Sequence, residues 1–199
     1  MTAPFSDRLD QQFAFLNEAD RLKSVLRATT LCDGSRRENS GEHSWHLALY
    51  AMVLSDQAAP GVDLNRVIKM LILHDLVEID VGDVPIHSGN GALHGSTETV
   101  LAEAKAADRI FGILPNDLRD SFRVIWDEFE AATTPDAVFA KSLDRVQPVM
   151  ANLASGGGTW VEYNVTAEQL QARVGLKIAH GAPRLWDWIW GKATAWFET

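Results

Sequence analysis

The sequence has little of several features that define broad protein classes. Cys32 is its one cysteine, so no disulfide can form within the chain, and the composition suits a reducing compartment. No apolar run reaches the roughly 20 residues that a membrane-spanning helix requires. Cationic residues are also scarce, with 18 Lys and Arg against 27 Asp and Glu and a formal net charge of −9. This charge argues against a nucleic-acid polymer or an anionic membrane surface as partner, because both need a positive field.

The N-terminal sequence and the chain length narrow the class further. Residues 1–8 lack the charged and then apolar arrangement of a secretory signal, so a cytoplasmic protein is expected. A chain of 199 residues with 46% hydrophobic residues is long enough for one sizeable core and short for two. We therefore expect a single domain over residues 1–199.

Apolar residues recur at helical spacing along nearly the whole chain, and no segment shows the alternation of a half-buried strand. The predicted fold class is therefore all-α. A first helix is expected over residues 6–27, with Phe13 and Leu16 facing inward, and the helix capped by Asp63 is expected to continue to Gly82. Other helices are predicted to begin near Asn39, Ser96, Pro115, Thr134, Thr166 and Pro183.

The main chemical signal is the pair His74-Asp75, which interrupts an apolar helical run beginning at Met70. Burying such polar groups costs free energy unless something binds them. His43 lies upstream and Asp144 downstream, so four possible metal ligands are spread over three predicted helices. Imidazole and carboxylate groups together suit a borderline or hard divalent ion. Each residue taken singly is equally compatible with a structural role, such as a hydrogen-bonded core histidine or a paired aspartate.

Four segments together resemble a known family. In chain order they are Arg37–Ser44, Met70–Glu78, Val81–Asp83 and Lys141–Asp144. Their order resembles that of the HD-domain phosphohydrolases, and most closely of their 5'-deoxynucleotidase branch, in which an EHS motif, an HDxxE motif followed by GD, and a late Asp recur. The resemblance covers about residues 15–155. It implies an HD-domain helical bundle with a metal site between its central helices.

The resemblance also implies an activity and roles for particular residues. The reaction would be hydrolysis of a deoxynucleoside 5'-monophosphate, a small phosphorylated substrate. One divalent metal ion, Mn, Co, Fe, Zn or Mg, would be held by His43, His74, Asp75 and Asp144. Glu78 would act as acid or base. Asp83, a second catalytic residue, would contact the sugar hydroxyl of the substrate, and Arg27 would contact the phosphate.

Three features leave alternatives open at the substrate site. Relatives place a Trp shortly after the phosphate-binding arginine, where it favours deoxyribose, whereas residues 28–30 here are Ala-Thr-Thr. The sugar preference is therefore open, and Arg36 or Arg37 could take the phosphate role. His87 and His94 lie in the Gly-rich segment 84–96, which is compatible with a mobile active-site loop, with an ordinary surface loop, or with ligands for a second metal.

Other functions and assembly states are compatible with the same residues. Within enzymes, the alternative is an HD hydrolase of another phosphorylated metabolite or of a signalling-nucleotide pyrophosphate. Outside enzymes, the chain could be a non-catalytic nucleotide or metal sensor. A homodimer is expected. The Trp-rich helices over residues 166–199 are expected either to pack on the domain or to form the dimer contact.

Overall fold

The computed structural model describes residues 7–199 and confirms that the fold is built from helices. A two-stranded antiparallel sheet is the one addition. The elements are α1 (Arg8–Asp20), β1 (Leu26–Thr30), β2 (Arg37–Asn39), α2 (Ser40–Val53), α3 (Leu64–Leu73), α4 (Glu78–Val81), α5 (Thr97–Phe111), α6 (Asn116–Ala131), α7 (Pro135–Ala154), α8 (Thr159–Glu162), α9 (Ala167–Leu170), α10 (Leu176–Gly181) and α11 (Pro183–Phe197).

Most helices begin where the cap residues predict. The Asn39 side chain accepts a hydrogen bond from the backbone N–H of Glu42, and the Asn39 N–H donates one to the Glu42 carboxylate. Asp63, Ser96 and Thr134 cap α3, α5 and α7 in the same way, each through a side-chain oxygen that accepts from the first helical turn. These local bonds satisfy N–H groups that have no partner within the helix, which is why they are readable from sequence.

The predicted first helix over residues 6–27 is wrong in its second half. Helix α1 ends at Asp20, a 3₁₀ turn covers Arg21–Ser24, and β1 follows. The inward face is also different, because Phe13 and Leu16 are exposed while Phe15 is buried against Phe111 and Phe122. The strand pairs with β2, which only the folded chain brings alongside it. The functional consequence is that Arg27 lies on a strand.

The predicted helix from Asp63 to Gly82 is also interrupted. Helix α3 ends at Leu73, and a 3₁₀ turn over His74–Val77 precedes the short α4. The indole N–H of Trp126 donates to the His74 carbonyl at 3.1 Å, which binds this turn to α6. Gly82 then has φ of 75°, a conformation that favours glycine, and it turns the chain so that Asp83 follows.

Two hydrophobic cores lie on either side of α7. The first joins α7 to α2, α3, α5 and α6, with Leu47, Leu71, Ile110, Phe129 and Phe139 among its fully buried residues. The second joins the end of α7 to the C-terminal helices and contains Val146, Val149, Trp160, Ile178, Trp186 and Ile189. Thus most of the aromatic side chains of α11 pack inward, with Trp188 as the exposed exception.

Trp160 is the largest side chain in the second core, and its removal should be costly. It is 1% exposed, and its ring lies 5.2 Å from that of Trp196 and 5.1 Å from that of Phe197. Trp160→Ala should lower the free energy of unfolding by about 3–5 kcal/mol, measured by urea denaturation. Trp188→Ala, at a position 54% exposed, is the matched control and should change it by less than about 1 kcal/mol. Equal effects would contradict this description of the core.

Within residues 7–199, no helix combines the length and the apolar character needed to cross a lipid bilayer.

Candidate active site

The structure brings the four predicted metal ligands into one cluster. His43 comes from α2, His74 and Asp75 from the 3₁₀ turn, and Asp144 from α7. One ligand atom from each of the first three residues lies within 4.8 Å of the others. The Asp144 Oδ1 atom is 3.1 Å from His43 Nε2 and 3.6 Å from His74 Nε2. All four side chains are buried.

Hydrogen bonds fix the orientation of both imidazole rings. His74 Nδ1 donates to the Leu71 carbonyl at 2.9 Å, which leaves Nε2 as the lone-pair nitrogen. That Nε2 is buried and lies 2.9 Å from Asp75 Oδ1, but it makes no hydrogen bond of acceptable geometry among the described residues. His43 Nδ1 faces Gln147 Oε1 at 3.0 Å, and Gln147 Nε2 donates to Glu38 at 2.9 Å. Hydrogen bonds to the Nδ1 atoms of this kind orient imidazole rings toward a metal ion. A His74 Nε2 without a hydrogen bond is therefore compatible with a metal-ligand role.

The electrostatics of the cluster also favour a bound cation. Burial disfavours the charged form of His74, yet the Asp75 and Asp144 carboxylates raise its pKa to about 10. Burial and Arg27 lower the pKa of His43, but hydrogen bonds to Asp144 and Glu38 outweigh them, so its pKa is raised overall. Two nitrogen and two carboxylate donors match the preferences of borderline divalent ions. The residues present therefore fit the metal that the sequence predicted.

Arg27 connects the cluster to the two predicted catalytic carboxylates. Its Nη1 is 2.8 Å from Asp75 Oδ2, 3.4 Å from Glu78 Oε1 and 3.5 Å from Asp83 Oδ1. The guanidinium is nearly buried, and these carboxylates raise its pKa against the effect of burial. The single positive charge of Arg27 is thus shared among three carboxylates, and none of them forms an exclusive ion pair with it.

Glu78 has the surroundings of an acid or base. Its Oε2 accepts a hydrogen bond from the Ser40 hydroxyl, and the side chain is buried. Burial and the nearby Asp75 raise the pKa of Glu78 to about 8, while Arg27 acts in the opposite direction. Asp83 is similar, since burial and Asp75 raise its pKa and its Oδ2 accepts from the Ala28 N–H at 3.2 Å. Perturbed carboxyls in a cavity are typical of acid–base sites.

A cavity of about 770 Å³ opens beside this cluster. Its polar lining includes Arg27, His74, Asp75, Glu78, Asp83, Lys141, Asp144, Arg145 and Lys177. Pro85, Val149, Trp160 and Leu170 contribute apolar walls. This size and mixture of surfaces are typical of small-molecule sites.

Arg36 and Arg37, the alternative phosphate residues, are not in the cavity lining. Arg36 pairs with Glu42 at 2.6 Å, and Arg37 pairs with Glu162 at 2.9 Å. Both arginine side chains are about half exposed. The structure therefore places the predicted Arg27, and neither alternative, beside the metal cluster.

Two arginines bind the segment 84–96, which forms part of the cavity wall. Arg145 Nη2 donates to His94 Nε2 at 2.9 Å, while His94 Nδ1 donates to the Val84 carbonyl. Arg173 Nη1 donates to His87 Nδ1 at 3.4 Å. Both histidines therefore face guanidinium groups, and neither belongs to the metal-ligand cluster of residues 7–199.

These two histidines give stability a dependence on pH. Burial and the neighbouring arginines lower the pKa of both His87 and His94 to about 4. In the unfolded chain a histidine titrates near 6.5, so between about pH 6.5 and 4 the unfolded state binds protons that the folded state does not. The free energy of unfolding should therefore fall as the pH falls through this window.

Chemical denaturation of the wild type and of His94→Gln at several pH values would measure this contribution. Between about pH 6 and 5, the slope of the unfolding free energy against pH should be smaller in the variant, by up to one proton equivalent. His180→Gln, at an exposed position, is the control and should retain the wild-type slope. Identical slopes in the His94 variant and the wild type would contradict a neutral buried His94.

Sequence reasoning missed several residues that support or adjoin the site. Gln147 lies three residues after Asp144 on α7, and this spacing could have placed both on one face. Glu38 and Ser40 reach the site from the end of β2 and the start of α2, and only the fold brings them there. Arg145 was not predicted as a site residue, yet it lines the cavity.

Comparison with known proteins agrees with this geometry. A protein named 5'-deoxynucleotidase HDDC2 from Homo sapiens is 28% identical over 137 residues, which are 68% of this chain and 64% of that protein. A protein named 5'-deoxynucleotidase plu3092 from Photorhabdus laumondii is 26% identical over 161 residues, or 79% of this chain and 81% of that protein. This chain thus spans slightly less than two thirds of the human relative.

Solved structures share the fold over nearly the whole chain. A predicted metal-dependent phosphohydrolase from Magnetospirillum magnetotacticum is 40% identical, covers 96% of both chains and superposes with a TM-score of 0.88. A conserved hypothetical protein from Pyrococcus furiosus has a TM-score of 0.57 at 19% identity, covers 89% of this chain and 98% of its own, and shows the fold alone. The family model described as HD domain matches residues 19–186. The chain belongs to the HD-domain family.

Proposed function

We propose that this protein is a metal-dependent phosphohydrolase that releases phosphate from nucleoside 5'-monophosphates. The observation that carries the proposal is the buried His43, His74, Asp75 and Asp144 cluster, with a His74 Nε2 that lacks a hydrogen bond, at the wall of a large cavity. The names of the human and Photorhabdus relatives support a nucleotide substrate, and the Magnetospirillum neighbour supports metal dependence.

The proposed mechanism assigns a role to each group in the cavity. His43, His74, Asp75 and Asp144 would hold one divalent ion, which when bound supplies Lewis-acid polarisation of the phosphoryl group. Glu78 would move the proton between the attacking water and the leaving 5'-oxygen, held in place by Ser40 on Oε2 and Arg27 on Oε1.

Asp83 and Arg27 are the proposed substrate residues. The Ala28 N–H holds one Asp83 oxygen, and this contact orients the carboxylate for a sugar hydroxyl. Arg27 contributes by holding the carboxylates of Asp75 and Glu78 in place as well as by any contact with the phosphate. The small side chains of Ala28 and Thr29 line the cavity together with Asp83. The proposed substrates therefore include both ribonucleotides and deoxyribonucleotides.

A panel of nucleotides with Mn²⁺, Co²⁺, Fe²⁺, Zn²⁺ or Mg²⁺ tests this function. The expected result is release of inorganic phosphate from 5'-monophosphates, and matched ribose and deoxyribose substrates would give the sugar preference. Release of pyrophosphate instead would favour the alternative of a signalling-nucleotide hydrolase. Nucleotide binding without turnover under every metal would contradict the enzyme and favour a sensor.

A homodimer and a cytoplasmic location remain predictions. Trp45, Leu49, Met52 and Val53 form an exposed apolar stripe on α2, and this supports association of two copies. Trp188 is the exposed aromatic residue of α11. Sedimentation of the purified protein measures the assembly state directly, and a monomer at micromolar concentration would contradict the dimer.

A further inference from the structure

The cavity contains a second arginine, Arg145, whose one ion-pair partner, Asp144, also contacts the metal-ligand cluster. Arg145 follows Asp144 on α7, lines the cavity, and has a side chain that is 13% exposed. Its Nη2 donates to His94, which is an uncharged partner. Its Nε is buried and has no hydrogen-bond partner among the described residues. The guanidinium is therefore largely removed from water without being fully bonded.

The nearest carboxylate, Asp144, offsets the charge of Arg145 only in part. Asp144 Oδ2 lies 3.7 Å from Arg145 Nη1, but Oδ1 of the same carboxylate faces both His43 and His74. Arg27 is in the opposite situation, because its Nη1 alone has three carboxylates within 3.5 Å. A buried cation whose single ion pair is long and shared is incompletely compensated, so Arg145 is more available to an anion than Arg27 is.

Lys177 adds to the positive charge on this side of the cavity. It also lines the cavity; the residue is exposed to solvent, and partial burial together with Arg145 lowers the pKa of its ammonium group. No carboxylate of residues 7–199 lies within salt-bridge distance of Lys177 in the structure. Two cations therefore face the same space, although the protein as a whole has a net charge of −9. A local positive surface of this kind is suited to a small anion.

We propose that Arg145 is a phosphate-binding residue that holds non-bridging oxygens of the scissile phosphoryl group. This proposal rests on the proposed function. One Asp144 oxygen faces the metal cluster and the other faces Arg145, so a phosphoryl group at the cluster lies within reach of the guanidinium. The planar fork of donors matches phosphate geometry, and phosphate is a stronger acceptor than the neutral His94 ring that now occupies Nη2.

Calorimetric titration of the metal-loaded protein with inorganic phosphate tests this role without relying on turnover. Arg145→Gln should raise the Kd for phosphate by at least about tenfold, because a charge-assisted contact is lost. Arg145→Lys keeps the charge but loses the fork, and should raise the Kd by about threefold or more. Arg36→Gln, which removes a surface arginine paired with Glu42, is the matched control and should bind phosphate like the wild type.

Several outcomes would overturn the proposal. Wild-type phosphate affinity in Arg145→Gln would do so, as would no measurable phosphate binding by the wild type. If Arg145→Gln does not fold, an unchanged Kd in Arg145→Lys has the same meaning. Unchanged binding of phosphate with weaker binding of a nucleoside 3',5'-bisphosphate would place Arg145 at a different anionic group and also refute the assignment.

The test separates this proposal from the proposed function. If no nucleotide is hydrolysed but Arg145→Gln still loses phosphate affinity, the hydrolase fails while the phosphate site stands. If the wild type hydrolyses monophosphates and Arg145→Gln shows unchanged phosphate affinity and KM, the hydrolase stands and the site fails. Metal content, measured in every variant, should be the same as in the wild type.

Discussion

Replacing Glu78 with glutamine should lower kcat for phosphate release by about 10²- to 10⁴-fold, the range typical of a lost acid or base. Glutamine keeps the size of the side chain and can still meet Ser40, but it cannot accept or deliver the proton. Glu78 is not among the four proposed metal ligands, so the metal content should be unchanged. Steady-state kinetics and elemental analysis of the same sample measure both quantities.

Asp80→Asn is the matched control for this substitution. Asp80 lies two residues along the same short helix, but its carboxylate pairs with Arg109 away from the cavity lining. The Asp80→Asn variant should retain the wild-type kcat. Turnover in Glu78→Gln within about twofold of the wild type would remove Glu78 from the proton-transfer step. Loss of metal from that variant would instead show that Glu78 contributes to holding the ion.

The surroundings of Glu78 indicate how its proposed function would depend on a bound ion. Burial and Asp75 raise the pKa of its carboxyl to about 8 despite the opposing effect of Arg27, so a proton is favoured at neutral pH without a bound ion. A divalent cation beside Asp75 would offset that negative charge and favour the carboxylate form. The Arg27 guanidinium acts in the same direction from the other side. The metal and Arg27 would together leave Glu78 able to accept a proton from water.

Features fixed by neighbouring residues in the chain could be predicted from sequence. The capping boxes at Asn39 and Thr166 involve residues three positions apart, and the structure contains both. The His74-Asp75 pair was recognisable because polar ligands interrupt an apolar run, and the order of His43 and Asp144 around it resembled the correct family. Such patterns need no knowledge of how distant segments meet.

Features that depend on distant segments could not be predicted. Even the nearby strand β2 had to be paired with β1 before β1 was recognisable as a strand, because the helical periodicity of residues 6–27 gave a helix that included Arg27. The ion pairs of Arg27 join positions about 50 residues apart in sequence, and the Gln147 contact to His43 spans still more. Burial of Arg145 depends likewise on the segment that carries His94. No local pattern contains these contacts.

Replacing Asp144 with alanine should greatly weaken metal binding. Its carboxylate lies beside both His43 and His74, and its charge is part of what makes the cluster favourable to a cation. Loss of contacts that only support a ligand already weakens metal binding by about 10- to 100-fold, so loss of a ligand should cost at least about 100-fold. The neighbouring Arg145 would add to this effect, since its positive charge would no longer be offset by the Asp144 carboxylate.

Stabilisation by metal measures this loss independently of any substrate. At a free-ion concentration of about 100 times the wild-type Kd, the wild type should gain about 2.7 kcal/mol in unfolding free energy, whereas Asp144→Ala should gain about 0.4 kcal/mol or less. Asp187→Ala, which removes an exposed carboxylate from α11, should behave like the wild type. Elemental analysis after dialysis should agree, with the metal retained in the wild type and the control and lost from Asp144→Ala. Equal stabilisation and stoichiometry in Asp144→Ala would refute a site with four ligands and leave His43, His74 and Asp75 as the metal-binding set, because these three already lie within ligand distance of one another.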